Sequence, residues 1–151
     1  MSALSLRLRP ARPRWQRARG ETKADGDKLA DMASFLELEG RWNEALEYRR
    51  KSVTLDPSAA GYASGLATNL LWLRRHGEAR TAADRYLILG PTNPEAYQLR
   101  AMVALAQGKL NEAQAVLRRG EARVPKDELL AFVAYYWISS GCWTPINGHE
   151  S

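Results

Sequence analysis

The side chains that most often carry out chemistry are few and scattered along this 151-residue chain. The two histidines are His76 and His149, and the single cysteine is Cys142. None of them has further ligands at the spacing of a zinc site, which needs three or four converging groups. Cys142 has no histidine partner within a predicted folded element, so a thiol nucleophile is not expected. The sequence therefore predicts no catalytic residue, no metal and no cofactor.

Motifs of the common enzyme classes are also absent from the sequence. It contains no phosphate-cradling glycine loop, no G-x-S-x-G and no H-E-x-x-H. Glu37 and Glu39 fall on different faces of one helix and are expected to be solvated. We predict that the chain is not an enzyme.

One interval does recur along the chain, and it is 34 residues long. Pro57, Pro91 and Pro125 keep this interval. It also separates three Glu-Ala pairs and three further alanines: Glu44-Ala45, Glu78-Ala79, Glu112-Ala113, Ala33, Ala67 and Ala101. A fixed period of this length indicates stacked copies of one supersecondary unit. Such arrays form surfaces that bind other molecules, so binding is the function to look for.

Each copy is predicted to contain two short helices joined by a turn. In the copy from Gly61 to Pro91, apolar residues recur at helical spacing up to Trp72 and again from Ala79 to Leu89. No segment alternates with a period of two, so strands are not expected. The proline ends each copy because it lacks the N–H that a helix requires. The recurring alanines allow the helices to approach closely.

The turn between the two helices carries glycine in the first and third copies. Gly40 and Gly108 lie where a left-handed cap favours this residue. In the middle copy Arg74 occupies that position, and Gly77 follows three residues later. We therefore expect the middle turn to differ slightly from the other two.

These motifs resemble the tetratricopeptide repeat family. The matching segments are Gly40–Ala45, Leu55–Pro57, Leu66-Ala67, Gly77–Ala79, Leu89–Pro91, Gly108–Ala113 and Val124-Pro125. The resemblance covers about residues 26–140 and implies an all-α fold, a right-handed α-solenoid of three helix-turn-helix repeats with a C-terminal helix. The repeats are expected at about 26–59, 60–93 and 94–127, and the last helix at 127–140. Arg49, Ser52 and Gly120 depart from the family pattern and are expected to weaken local packing.

The positive charge is concentrated at the N-terminus. Residues 1–24 contain six arginines and Lys23 against Glu21, a net charge of +6, whereas the remaining residues have a net charge of −1. Residues 1–25 are predicted to form a basic disordered arm and residues 141–151 a flexible tail. The arm is open to four interpretations: a solvated tail, a site for phosphates of nucleic acid or lipid headgroups, a targeting presequence, or sequence that is not native coding sequence.

The predicted C-terminal helix is apolar on more than one face. Asp127 is expected to cap it, and Phe132, Val133, Tyr136 and Trp137 follow. Terminal repeats normally present a polar outer face, because nothing covers it. We predict that the chain is a fragment of a longer solenoid or that a partner, including a second copy of the chain, covers this helix.

Cysteine content and hydropathy bear on location. A single cysteine precludes an internal disulfide and fits a reducing compartment. No segment approaches the roughly 20 apolar residues that cross a bilayer. A cytoplasmic location is therefore predicted.

The resemblance also implies a binding site, because the first helix of each repeat lines a concave groove in the family. The groove residues are expected, by phase, to be Ser34, Leu38, Ser64, Thr68, Leu71, Trp72, Gln98, Met102, Leu105, Phe132 and Tyr136. Asp27 and Glu37 fall at two further groove phases. No cluster of cationic side chains occupies these phases, so acidic tails are not expected to bind. An extended or helical apolar peptide is the expected ligand.

The functional prediction is a non-catalytic protein-interaction module or scaffold that binds a protein or peptide partner and no small-molecule substrate. The alternative is a nucleic-acid or membrane-surface binder that acts through the basic arm. The segments Leu70–Arg75 and Ala101–Gly108 also resemble repeats that follow bacterial serine/threonine kinase or cyclase domains. That resemblance implies a part of a larger bacterial regulatory protein.

Overall fold

Seven α-helices make up the described part of the chain. The computed structural model describes the backbone of residues 14–139 and the side chains of residues 22–134. The helices are α1 (Arg14–Leu38), α2 (Trp42–Leu55), α3 (Ala60–Trp72), α4 (His76–Leu89), α5 (Pro94–Ala106), α6 (Leu110–Glu121) and α7 (Lys126–Ser139). Residues 14–139 contain no strand. The predicted arrangement of three helix pairs and a seventh helix is confirmed.

The helices stack in chain order as three antiparallel pairs. Each helix contacts the next along the chain, and the odd-numbered helices α1, α3, α5 and α7 also contact one another in sequence. Within the described residues the backbones of the even-numbered helices do not approach one another in this way, and surface ion pairs such as Arg50 of α2 with Glu78 of α4 link them instead. The odd-numbered helices therefore line the inner side of the array, and the even-numbered helices form its outer side.

Alanine allows the two helices of each pair to pack closely. The six alanines that repeat at the 34-residue interval are all at most 4% exposed: Ala33, Ala67 and Ala101 on the first helices, and Ala45, Ala79 and Ala113 on the second. Larger side chains complete three clusters of buried residues, the largest of which extends from α2 to α5. A small residue at these positions lets backbones approach where a larger one would hold them apart.

All three turns between paired helices have the same geometry. Gly40, Arg74 and Gly108 each adopt the left-handed conformation, with φ of 76°, 58° and 72°. In each turn the next residue donates its N–H to a carbonyl five residues earlier, as in Arg41 to Leu36 at 2.8 Å. The expectation that the middle turn would differ is wrong, because the surrounding helices hold Arg74 in the conformation that glycine adopts elsewhere.

The N-terminal helix differs from the sequence prediction. Helix α1 begins at Arg14, directly after Pro13, so residues 14–25 of the predicted disordered arm are helical. This segment is rich in arginine, alanine, glutamine and glutamate, which favour helix, and its end is anchored where Gly26 is buried against the ring of Tyr62. Residues 1–13 and the predicted tail at 141–151 lie outside the described residues.

Helix α7 also begins slightly earlier than expected. It starts at Lys126, so Asp127 lies within the first turn and does not precede the helix. Leu129 is buried and Val133 is half-buried against α5 and α6, whereas Leu130 is 54% exposed. A Cβ at Gly120 would lie 2.9 Å from the ring of Tyr97 and 3.0 Å from Leu129, so the glycine makes room for α7. The expected weakening of packing by Gly120 is therefore wrong.

A buried arginine joins the second and third helix pairs. Arg100 of α5 is 3% exposed, and its Nε donates to Asp84 of α4 at 2.6 Å. Its Nη2 donates to Glu112 of α6. Burial lowers the pKa of Arg100, but the hydrogen bonds to the two carboxylates outweigh it and raise the value overall. One side chain thus ties three helices together.

We predict that Arg74→Gly stabilises the protein. A non-glycine residue in the left-handed region costs about 1 kcal/mol, and glycine removes this cost. The free energy of unfolding measured in urea should rise by about 0.5–1 kcal/mol. Gly108→Arg is the matched control, because no atom lies within 4 Å of a Cβ built there, and it should lower stability by a similar amount. Changes of the same sign in both variants would contradict the prediction.

Candidate peptide-binding groove

The inner side of the array carries a buried polar network between the first and second helix pairs. The Arg49 guanidinium donates to both carboxylate oxygens of Glu37, at 3.0 Å and 2.7 Å, and to Ser34 Oγ at 3.1 Å. Asn69 Nδ2 donates to the same carboxylate at 3.0 Å. The side chains of Arg49 and Glu37 are only 11% and 16% exposed. The expectation that Glu37 is solvated is wrong.

The network also accounts for two unusual residues. Arg49 occupies a position where an aromatic residue is expected, and its ion pair replaces the packing that such a residue would supply. Gly65 of α3 leaves the space for it, because a Cβ there would lie 2.7 Å from Arg49 Nη1. Ser52 is fully buried and donates its hydroxyl to the Arg49 carbonyl at 2.8 Å. Neither Arg49 nor Ser52 weakens the packing as expected, since both are buried and hydrogen-bonded.

Two tyrosines bind carboxylates at the end of the groove where α3 and α5 begin. Tyr62 donates its hydroxyl to Asp27 Oδ1 at 2.6 Å. Tyr86 donates its hydroxyl to Glu95 Oε2 at 2.8 Å, and Ser64 donates to the other oxygen at 3.1 Å. Burial, reinforced by Asp27, raises the pKa of Tyr62 to about 12. Burial and Glu95 raise the pKa of Tyr86 as well. Glu95 lies at the position of Asp27 two repeats later, so the 34-residue interval could have identified it.

Apolar side chains lie at the opposite end of the groove, where α3 and α5 finish. Trp72 is 60% exposed, and its ring centroid lies 5.8 Å from that of Trp42, with the planes inclined by 32°. Trp72 therefore packs on a neighbouring helix and still offers an open face. Leu105 is 37% exposed, and Met102 is half-buried beside it on α5.

The structure distributes the sequence-predicted groove residues over three environments. Four are exposed: Ser34, Leu38, Trp72 and Leu105. Five are half-buried: Ser64, Thr68, Leu71, Met102 and Phe132. Gln98 is buried, and its Nε2 donates to Met102 Sδ at 3.6 Å, so it is not open to a ligand as the groove prediction requires. Tyr136 lies on α7, and its side chain is outside the described residues.

The groove is more acidic than the sequence interpretation of an apolar and weakly polar wall implies. Asp27 and Glu95 have carboxylates at the groove, and Glu37 and Arg49 neutralise each other. Among residues 22–134, no three His, Cys, Asp or Glu side chains converge in a way that would hold a metal ion. Within the described helices, none is long and apolar enough to span a membrane.

Solved structures with the same arrangement are tetratricopeptide repeat domains. The second such domain of Spaghetti (RPAP3), bound to the HSP90 peptide SRMEEVD, has a TM-score of 0.64 at 20% identity and covers 71% of this chain and 98% of that chain. The Arabidopsis OM64 domain has a TM-score of 0.65 at 16% identity and covers 79% and 98%. The chain has a tetratricopeptide-repeat fold. The translocator chaperone SycD of Yersinia enterocolitica has a TM-score of 0.64 at 18% identity, with 79% and 93% covered.

Sequence similarity is more limited. Cellulose synthase operon protein C of Salmonella typhimurium is 31% identical over 75 residues, which is 50% of this chain. The chain spans only 6% of the length of that relative. No protein-family model matches the sequence.

We predict that Glu37→Gln is strongly destabilising, because it leaves the buried Arg49 charge without its counter-ion. The free energy of unfolding should fall by about 2 kcal/mol or more. The matched control is Glu44→Gln, since Glu44 accepts two hydrogen bonds from Arg41 in the same way but both side chains are about half exposed. That variant should lose much less stability, because water already solvates and screens the exposed pair. Equal losses measured in urea would contradict the difference in burial.

We also predict a loss of stability at alkaline pH. Tyrosine in the unfolded chain titrates near pH 10, so a raised folded-state pKa contributes stability that is present below this pH. This stability is lost as pH rises through about 12, the pKa of Tyr62. The urea concentration at the unfolding midpoint should fall as pH rises from about 9 to about 11, and it should fall less steeply in Tyr62→Phe. If the midpoint falls equally steeply with pH in the unmodified protein and in Tyr62→Phe, the ionisation of Tyr62 is not coupled to unfolding.

Proposed function

We propose that this chain is a non-catalytic interaction module that binds a peptide of a partner protein in the groove of α1, α3, α5 and α7. The observation that carries the proposal is the open face of Trp72, which is 60% exposed at the C-terminal end of the inner helix α3. A half-exposed tryptophan supported by a second aromatic ring is the type of side chain that dominates binding energy at interfaces. Met102 and Leu105 extend this apolar surface onto the next repeat.

The charges in the groove select the kind of peptide. The RPAP3 domain is bound to SRMEEVD, a peptide with two glutamates and one aspartate. In this chain Asp27 and Glu95 would repel such a sequence, and Arg49 cannot attract it because Glu37 already neutralises its charge. Like charges in close contact oppose binding. We therefore assign the groove to an apolar peptide without carboxylates, extended or helical.

Peptides selected from a random display library would test this assignment. We expect their resonance shifts, mapped by NMR on the ¹⁵N-labelled chain, to cluster at Thr68, Trp72, Met102 and Leu105. SRMEEVD should cause no comparable shifts. Shifts confined to residues 14–24, with an affinity that falls steeply with salt, would contradict the groove and favour the nucleic-acid or membrane-surface alternative.

We predict that Leu105→Glu weakens binding of a selected peptide about tenfold or more, because it places a carboxylate in the apolar part of the groove. Titration calorimetry would measure the affinity. The matched control is Ile88→Glu on the outer helix α4, where Ile88 is 78% exposed and the same substitution should leave affinity unchanged. Equal losses in the two variants would remove the groove from the binding site.

A further inference from the structure

Helix α1 exposes a face that is buried on the equivalent helices α3 and α5. Phe35, Asn69 and Val103 occupy the same position in successive repeats. Asn69 and Val103 are fully buried, whereas Phe35 is 56% exposed. Met32, one turn earlier on the same face, is 45% exposed. The difference arises because α2 packs on α3 and α4 on α5, while no helix within residues 14–139 precedes α1.

The other half of α1 extends past its neighbours. Helix α1 has 25 residues, but its antiparallel partner α2 has only 14. Helix α2 can therefore accompany only about the last 14 residues of α1, and residues 14–24 project roughly 16 Å beyond it at 1.5 Å per residue. The first turn of α3 is level with the end of this projection, since Tyr62 contacts Gly26 and hydrogen-bonds to Asp27. We call residues 14–24 the overhang. A helix of this length is marginal alone, so it would gain from a packing partner.

The two halves of α1 carry opposite charge. The overhang contains four basic residues and one acidic residue, a net charge of +3. Residues 25–38 contain four acidic residues and one basic residue, a net charge of −3. Glu37 is already paired with Arg49, but the other acidic residues keep this half net negative, so two such helices placed antiparallel match a basic half against an acidic half.

We propose that two copies of the chain pair through an antiparallel contact between their α1 helices. The overhang of each copy lies on the exposed Met32 and Phe35 of the other. The arrangement has two-fold symmetry, which is the commonest symmetry of protein dimers and requires only one self-complementary surface. It covers both features that a single copy leaves open, the apolar face and the projecting helix. The inner groove is not involved, so the inference is independent of the proposed peptide binding.

Sedimentation equilibrium of the full-length chain tests the contact. A dimer is expected, with a dissociation constant that rises between about 0.05 M and 0.5 M salt because the matched charges are screened. Phe35→Glu should weaken it about tenfold or more. Ile88→Glu is the control for an exposed apolar residue elsewhere. Glu21→Pro should also weaken the dimer, because proline interrupts the overhang while leaving the helix from Gly26 onward intact.

Cross-linking tests the register of the two helices. In a Cys142→Ser background, Ala24→Cys should form an intermolecular disulfide, because residue 24 lies near the two-fold axis. Phe35→Cys should not, since the two copies of residue 35 would lie about 30 Å apart along the helix axis. A disulfide at residue 35 alone would indicate direct contact between the apolar patches and overturn the proposed arrangement.

Two further outcomes would also overturn it. One is a chain that stays monomeric at every concentration up to about 200 μM, because its self-association would then be too weak for a specific interface of ordinary size. The other is a dimer that survives Phe35→Glu and Glu21→Pro but is lost in Leu130→Glu, a change on the exposed side of α7. That result would instead support the sequence-based prediction of self-association through the C-terminal helix.

Discussion

The close approach of two helices in each repeat is the constraint on which the rest of this structure depends. Two alanines per repeat set that distance, and all six are nearly or fully inaccessible. With the pairs held so closely, each repeat has a thin interior and must bury its remaining apolar surface against the next one. The array consequently has no single core but three clusters that overlap along its length. The inner groove follows from this stacking, because the first helices converge on one side.

Polar contacts at the junctions add specificity to this packing. Arg49 of α2 and Asn69 of α3 both donate to Glu37 of α1, so this carboxylate joins three helices. Arg100 of α5 joins three helices as well, because it donates to carboxylates of α4 and α6. The two arginines occupy different positions in their repeats. Both are buried with carboxylates, and removing either member of the Arg49–Glu37 pair would leave a buried charge without compensation, whereas Arg100 has two carboxylate partners. The groove takes its acidic character from the tyrosine-bound carboxylates, because the first of these networks is a neutral ion pair.

Much of the fold could be predicted from the 34-residue interval alone, since prolines, alanines and turn glycines each have a local physical reason to recur. The conformation of Arg74 could not, because a propensity argument favours glycine there and the surrounding helices override it. The start of α1 was missed for a related reason: the arginine count suggested disorder, although the residue types after Pro13 favour helix. Among the predicted groove residues, phase selected Trp72 and Leu105, which are exposed in the structure. It could not show that Gln98 is buried, or that Glu37 pairs with an arginine from another helix, because both depend on side-chain packing between helices.

The Arg49 network also restricts how an array of this kind can lengthen. If residues 60–93 were duplicated in tandem, the Asn69 of the new copy would face Leu71 in place of Glu37, and Ala83 in place of Arg49. Its fully buried amide would lose its carboxylate acceptor, and the space beside Gly65 would be empty. A lost buried hydrogen bond and a cavity each cost free energy. Recombination that inserts a second middle repeat would therefore yield a less stable protein, although the inserted unit has the same length and helix pattern as its neighbours.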